Sequence, residues 1–193
     1  MNLSARMIIV LTSVGLISGS FLTGVDLLTR SRIEANRQRE IKDAITRVVP
    51  GTETSNIVYE EKSFTIYEGK DKSGQRAGFA LYTSGTGFQD KITLMIGTDE
   101  SFSTLNRLFI LEQKETPGLG AKITEWDEFL RFWENRDCSQ SLSLRNPPAD
   151  SPDDLSYSEV NTITGATISS EAVLDIVNFS IEKAKTLHKE GKI

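Results

Sequence analysis

An uncharged stretch near the N-terminus limits what this chain can fold into more than any other feature. Met7 to Val25 comprises 19 residues without a charged side chain, bounded by Arg6 and Asp26. A helix of about 20 apolar residues crosses the hydrocarbon core of a bilayer. The stretch therefore predicts a single N-terminal transmembrane helix, to which we assign residues 1–28.

A cleaved signal peptide is the alternative interpretation of this stretch, because Ser18-Gly19-Ser20 offers small residues near a cleavage site. The stretch is longer than the apolar region of most signal peptides. Apolar residues also continue at helical spacing beyond it, at Leu27, Leu28, Ile33, Ile41, Ile45 and Val48. These features favour an uncleaved anchor followed by a connecting helix over residues 29–50.

The charges beside the span bear on its orientation. Arg6 is the only side-chain cation before the span, whereas Arg30, Arg32, Arg37 and Arg39 follow it. On this count, the positive-inside rule places the C-terminal domain in the cytoplasm.

Composition excludes several classes of function. The net charge of -5 argues against a nucleic-acid partner, because phosphate binding needs clustered Lys and Arg. The chain has one cysteine, Cys138, and one histidine, His188. A single cysteine cannot form an internal disulfide or a Cys-ligated metal site alone, and a single histidine makes His-based catalysis a weak hypothesis. We therefore predict no catalytic residues and no metal ligands, and we expect Cys138 to be inert and His188 to be solvated at a helix end.

Residues 51–193 contain the patterns of an α+β domain with a mostly antiparallel sheet and flanking helices. Strand-like runs rich in β-branched and aromatic residues are separated by turn residues, at Asn56–Glu60, Ser63–Tyr67, Ala77–Thr83, Lys91–Gly97 and Arg107–Glu112, with a last strand at Tyr157–Val160. A helical period over Ala121–Arg136 predicts a helix that buries Ile123, Trp126, Phe129, Leu130 and Trp133. Apolar residues from Val173 to Leu187 predict an amphipathic C-terminal helix.

A short motif precedes that helix: Thr164-Gly165-Ala166-Thr167, followed by Ile168-Ser169-Ser170-Glu171. One interpretation is a turn with an ordinary threonine helix cap. The other is an attachment site for a phosphate group. Gly165 and Ala166 would leave room for an incoming group, and Thr167 would supply the oxygen of a phosphoester. The helix behind them offers free N–H groups and the positive end of its dipole.

Two glycine-containing loops lie earlier in the chain. Glu115-Thr116-Pro117-Gly118-Leu119-Gly120 is either a plain loop or a backbone that approaches a flat ligand closely, with Leu119 against an aromatic ring. The segment Ser84–Asp90 contains no Lys-Ser/Thr pair of the Walker type, so it does not predict a nucleotide P-loop.

Together, the membrane helix, the loop at residues 115–120 and the motif at residues 164–167 resemble the FMN-binding subunits of ion-pumping respiratory complexes. The resemblance covers nearly the whole chain. It is greatest to the G subunit of Rnf complexes, which is related to the C subunit of the sodium-pumping NADH:quinone reductases.

The resemblance implies that FMN is joined by its phosphate to the hydroxyl of Thr167, by a flavin transferase that uses FAD. Thr164, Gly165, Ala166 and Ser169 would frame this site. Residues of the earlier loop would lie near the flavin ring, namely Glu115, Thr116, Gly118, Leu119 and Gly120. Family members commonly have Asp six residues before the acceptor, where this chain has Asn161, which keeps hydrogen-bonding capacity but not the charge.

The function implied is that of an electron-relay protein, not catalytic alone, in an Rnf-type ferredoxin:NAD oxidoreductase that moves sodium ions or protons. The other membrane subunits would be its partners, and its domain would lie on the extracytoplasmic side of the plasma membrane, contrary to the arginine count. Large translocated domains override local charge. An assembly module without flavin is the alternative, and a regulatory protein with the same fold is a third hypothesis.

Overall fold

The computed structural model describes residues 2–193, and its first element is a long helix, α1 (Leu3–Val48). An 18-residue window of α1 has a mean hydropathy of 2.0, and within residues 2–193 this helix alone is long and apolar enough to cross a membrane. The chain divides into two compact units, Met1–Ile41 and Lys42–Ile193. The last turns of α1 therefore belong to the second unit.

The second unit is built around an antiparallel meander. Its strands are β1 (Thr54–Glu61), β2 (Phe64–Lys70), β3 (Arg76–Thr86), β4 (Lys91–Thr98), β5 (Thr104–Glu112) and β6 (Arg136–Asp137), and each pairs with the next in order. Two short strands, β7 (Ser143–Arg145) and β8 (Glu159–Asn161), form a separate parallel pair. Helix α2 (Thr167–Lys189) ends the domain. The predicted α+β class, with a mostly antiparallel sheet and a C-terminal helix, is confirmed.

The apolar stripe of α2 forms one side of the core. Val173, Val177 and Ala184 are fully buried and belong to the same apolar cluster as Leu81 and Leu94 of the sheet. Full burial stabilises the fold by about 1.5–3 kcal/mol for each large apolar side chain. Inside this layer the Ser180 hydroxyl lies 3.0 Å from that of Thr83, so both polar groups are paired and the helix is held in register on β3.

The helix predicted over Ala121–Arg136 is wrong. Two short 3-10 helices occupy this segment, Gly120–Thr124 and Leu130–Trp133, and extended backbone at Glu125 ends the first of them. The apolar spacing of three residues suits 3-10 turns as well as an α-helix, so the sequence pattern did not separate them. Trp133 is fully buried as expected, whereas Trp126 is 49% exposed and lies outside the core.

The end of α1 packs closely on the sheet at a glycine. A Cβ at Gly97 of β4 would overlap the carbonyl oxygen of Val48, so only glycine allows this approach. Val48 and Val49 are fully buried, and the Arg47 guanidinium lies 5.0 Å from the centre of the Phe109 ring. The last turn of α1 is therefore a packed part of the second unit.

We expect Gly97→Ala to destabilise the domain by about 1–3 kcal/mol, because the added methyl group must displace the end of α1 or bend β4. Urea denaturation of the full chain in detergent, followed by tryptophan fluorescence, measures this. Gly74→Asn is the control, since Gly74 has a φ of 81° with open space around it and Asn tolerates that conformation. Equal stability of the two variants would contradict the packing argument.

Candidate functional site

The N-terminus of α2 is uncapped by any side chain. The helix begins at Thr167, and Ala166 stands at the capping position without a side-chain hydrogen bond. The first N–H groups of a helix have no acceptor within the helix and carry the positive end of its dipole. The interpretation of the motif as a threonine cap is therefore wrong. The Thr167 side chain is exposed, and no residue between 2 and 193 hydrogen-bonds its hydroxyl.

Ser170 holds the turn before α2 in one conformation. Its fully buried hydroxyl accepts a hydrogen bond from the N–H of Ile163 at 3.2 Å and donates to the carbonyl oxygen of Ala166 at 3.1 Å. The turn itself needs the left-handed conformation of Gly165, whose φ is 81°. The position of Thr167 at the surface is thus set by a buried neighbour, and Ser170 was not among the predicted site residues.

A buried carboxylate joins three segments beneath this surface. Glu115 is 4% exposed, and its Oε2 accepts a hydrogen bond from the Ser169 hydroxyl at 2.6 Å. Its Oε1 accepts from the backbone N–H of Gln89 at 3.1 Å, and the Gln89 side chain donates to the Thr116 hydroxyl at 2.8 Å. The start of α2, the loop after β5 and the loop between β3 and β4 are therefore tied to one side chain.

Two glycines make room for this carboxylate. A Cβ at Gly120 would lie 2.5 Å from the Ser169 Oγ and 2.9 Å from the Glu115 Oε2, and a Cβ at Gly87 would overlap the Glu115 Oε1. Gly118 serves a different purpose, since its φ of 76° is required by the turn and its surroundings are open. Of the two glycines predicted in this loop, Gly120 borders the internal network and Gly118 shapes the turn.

A cavity of about 340 Å³ opens beside Thr167. It is lined by eight of the predicted residues, Glu115, Thr116, Leu119, Gly120, Gly165, Ala166, Thr167 and Ser169, together with Phe88 and Ile168. Thr164 and Gly118 do not line it. The exposed apolar side chains Phe88, Leu119 and Ile168 are 58%, 48% and 56% accessible, respectively.

This lining fits a flat aromatic group tethered by a phosphate. The three apolar side chains offer contact surface to a ring, and the uncapped N–H groups of α2 suit an anion. A Cβ at Gly165 would lie 3.3 Å from Leu119 Cδ2, so a larger residue there would begin to fill the cavity. Phe88 and Ile168 were missed as lining residues, since an isolated exposed apolar residue has no sequence pattern of its own.

The single cysteine, Cys138, does not line the cavity beside Thr167. Cys138 is buried, its thiol donates to the carbonyl oxygen of Phe102 at 3.4 Å, and burial raises its pKa to about 12. A thiol with such a pKa is almost entirely protonated at neutral pH and a poor nucleophile. The expectation of an inert cysteine is confirmed, and His188 is exposed near the end of α2, as predicted.

Asn161 uses both ends of its amide. Its Oδ1 accepts from the N–H of Ala149 at 2.8 Å, and its Nδ2 donates to the carbonyl oxygen of Ala149 at 2.9 Å. The side chain is 2% exposed and so holds the loop after β7 against the end of β8. A carboxylate could accept the first bond but could not donate the second. An amide at position 161 therefore satisfies both backbone groups of Ala149, which a carboxylate would not.

Comparison with known proteins agrees with these features. Residues 87–182 match the family model described as "FMN-binding domain", and this range contains all the predicted site residues. The chain is 26% identical over 184 residues to the G subunit of the ion-translocating oxidoreductase complex of Methanosarcina acetivorans, with 92% of each chain covered. It is 27% identical over 155 residues to the G subunit of the Na(+)-translocating ferredoxin:NAD(+) oxidoreductase complex of Acetobacterium woodii, covering 77% of this chain and 71% of that one.

Solved structures share the fold. The C subunit of the Na(+)-translocating NADH-quinone reductase from Parabacteroides distasonis superposes with a TM-score of 0.63 at 18% identity, covering 82% of this chain and 96% of that one. NqrC from Shewanella oneidensis gives a TM-score of 0.55 at 18% identity, covering 71% of this chain and 67% of that one.

Removal of the Glu115 side chain tests the network. Glu115→Ala leaves the buried Ser169 hydroxyl without its acceptor, which costs about 1–3 kcal/mol, and it also removes the acceptor of the Gln89 N–H. Glu115→Gln should cost less, because a carboxamide accepts from the Gln89 N–H and donates to the Ser169 oxygen. Denaturation and amide hydrogen exchange at Gln89 measure both effects, with the exposed Glu125→Ala as control. Equal stability of Glu115→Ala and this control would contradict the network.

Asn161→Asp tests the paired amide. We expect the variant to be less stable by about 1–3 kcal/mol at neutral pH, since the carboxylate leaves the Ala149 carbonyl without its donor and places negative charge beside it. Thermal unfolding measures the change. Asn135→Asp, an exposed substitution of the same kind, is the control and should change stability less. Unchanged stability of Asn161→Asp would show that the amide donor is not needed.

Proposed function

We propose, because residues 87–182 match the FMN-binding domain family, that this chain is a membrane-anchored flavoprotein with FMN joined covalently to Thr167. It relays electrons within an Rnf-type ferredoxin:NAD oxidoreductase that moves sodium ions or protons. The family assignment and the relatives from ion-translocating complexes support an FMN-binding membrane subunit of an ion-translocating oxidoreductase. The covalent bond, its position and the direct electron partners are our proposal.

One observation carries the assignment of the attachment site. Thr167 is exposed at the uncapped start of α2 and lines the cavity that residues 165–169 share with the loop after β5. A phosphate on that oxygen would lie beside free N–H groups and the positive end of the helix dipole. Thr164, the other hydroxyl of the motif, does not line the cavity.

The remaining residues of the site would hold the cofactor. Phe88, Leu119 and Ile168 would pack against the ring, while Glu115 keeps the loop and the helix in place. The flavin itself supplies the capacity to take up and release electrons, and the protein supplies position and environment. A phosphoester prevents loss of the cofactor, which suits a carrier that must work through many cycles.

Attachment requires a second protein. In the proposed reaction, the Thr167 hydroxyl oxygen bonds to the flavin-side phosphorus of FAD, the bond between its two phosphates breaks, and AMP leaves with the hydroxyl proton released to solvent. A flavin transferase would catalyse this step.

Membrane placement follows from the same proposal. Residues 1–28 would anchor the chain and residues 29–50 would connect it, with the last turn of α1 packed on residues 51–193, which would form the flavin domain on the extracytoplasmic side. The other proteins of the complex are its partners, in line with the relatives, which are themselves subunits of such complexes. An assembly module without flavin is the alternative, and it predicts that the cavity stays without a chromophore even when a transferase is present.

Intact-mass analysis tests the attachment. The full chain, produced together with a flavin transferase, should gain the mass of one FMN less one water, and the modified peptide should contain Thr167. Denaturing gels should show flavin fluorescence at its position. Thr167→Val removes the hydroxyl while keeping the side-chain shape, and we expect complete loss of the covalent flavin.

Thr164→Val is the matched control, because it removes a neighbouring hydroxyl of the same motif, and we expect it to retain the modification. Flavin on Thr167→Val would refute the assignment to this oxygen. An unmodified wild-type chain, made in cells where the transferase modifies an authentic substrate, would support the assembly module instead.

A further inference from the structure

A second groove shares the lining residue Ile168 with the proposed cofactor cavity. It has a volume of about 470 Å³ and runs between the end of β3 and the outer face of α2. A Cβ at Gly85 would overlap the Ile176 side chain, so glycine lets the strand approach the helix and form the floor. The walls include Ile168 and Phe179, which are 56% and 68% exposed.

The charges of this groove have one sign. Glu171 and Asp175 are its only charged lining residues, and both are solvent-accessible. Neither carboxylate forms an ion pair or a side-chain hydrogen bond with any residue in the range 2–193. They stand four residues apart on α2, where like charges repel and destabilise the helix. Within residues 2–193 no cationic side chain pairs with either carboxylate, whereas a cation seated between them would offset the repulsion.

Exposed apolar side chains beside unpaired charges of one sign suit a protein–protein contact. Large apolar side chains in the middle of such a contact exclude water, and complementary charges around them steer association. An anionic membrane surface is a poor occupant, because it would face two carboxylates of the same sign. A cationic protein segment matches both the charge and the apolar surface.

We propose that this groove docks another protein of the complex through a segment that inserts an apolar side chain between Ile168 and Phe179 and places a Lys or Arg against Glu171 and Asp175. The choice of partner rests on the function proposed above. Since Ile168 also lines the cofactor cavity, the docked segment would lie next to the site of Thr167. The groove would bring an electron partner beside the cofactor.

Photo-crosslinking in the assembled complex tests this docking. Benzoylphenylalanine replaces Phe179 in the full chain, and the purified complex is irradiated and digested. We expect a cross-link to a segment of another protein of the complex that contains Lys or Arg. The same probe at Tyr157, which is 83% exposed but does not line the groove, is the control and should not reach that segment. A probe at residue 179 that reaches only lipid, or no other protein, overturns the proposal.

Charge reversal tests the acidic pair. Glu171→Lys with Asp175→Lys should lower the cross-link yield from residue 179 at least about tenfold, because like charges now meet. Glu125→Lys with Asp127→Lys changes the net charge equally at exposed positions outside the groove and should leave the yield unchanged. An equal yield in both double variants overturns the proposal.

Covalent flavin is measured in every variant by gel fluorescence. Cross-linking does not need the flavin, so a chain without flavin that still cross-links refutes the proposed cofactor and supports the docking. If charge reversal lowers flavin loading but not the cross-link yield, the acidic pair serves recognition by the flavin transferase, and the docking proposal is overturned.

Discussion

The Glu115 carboxylate is the interaction on which the site depends. Its two oxygens bind Ser169 on α2 and the backbone of Gln89, which lie 54 and 26 residues away along the chain. A buried carboxylate without such partners would be costly, so its burial and its hydrogen bonds require each other. Ser169 lines the cavity and Gln89 follows the lining residue Phe88, so this one side chain ties together the segments that surround the cavity.

The surface chemistry follows from that buried arrangement. Glycine at positions 87 and 120 leaves space for the carboxylate, and the Ser170 hydroxyl fixes the turn that presents Thr167. Thr167 thereby meets the surface at the uncapped start of α2. Ile168 lines the proposed cofactor cavity and the acidic groove, so one exposed residue borders both.

Most of the fold could be predicted from local patterns. The uncharged stretch is recognised by its length, the strand-like runs by β-branched and aromatic residues between turns, and α2 by its helical period. The helix predicted after Gly120 was wrong because a spacing of three residues suits both α and 3-10 turns. In the structure, extended backbone at Glu125 ends the first 3-10 helix, so no continuous α-helix forms. Trp126 also shows that apolar spacing alone does not predict burial, since it falls on the predicted apolar stripe and is still 49% exposed.

The sequence by itself determined the anchor helix, the α+β class and, through the resemblance, the two motifs that frame the site. These depend on residues close together in the chain or on a pattern that a family shares. The tertiary structure alone decided that Glu115 acts from beneath the cavity, that Asn161 pairs with Ala149, and that Glu171 and Asp175 border a groove with Phe179. Such contacts join distant segments, and no local periodicity records which side chains folding brings together.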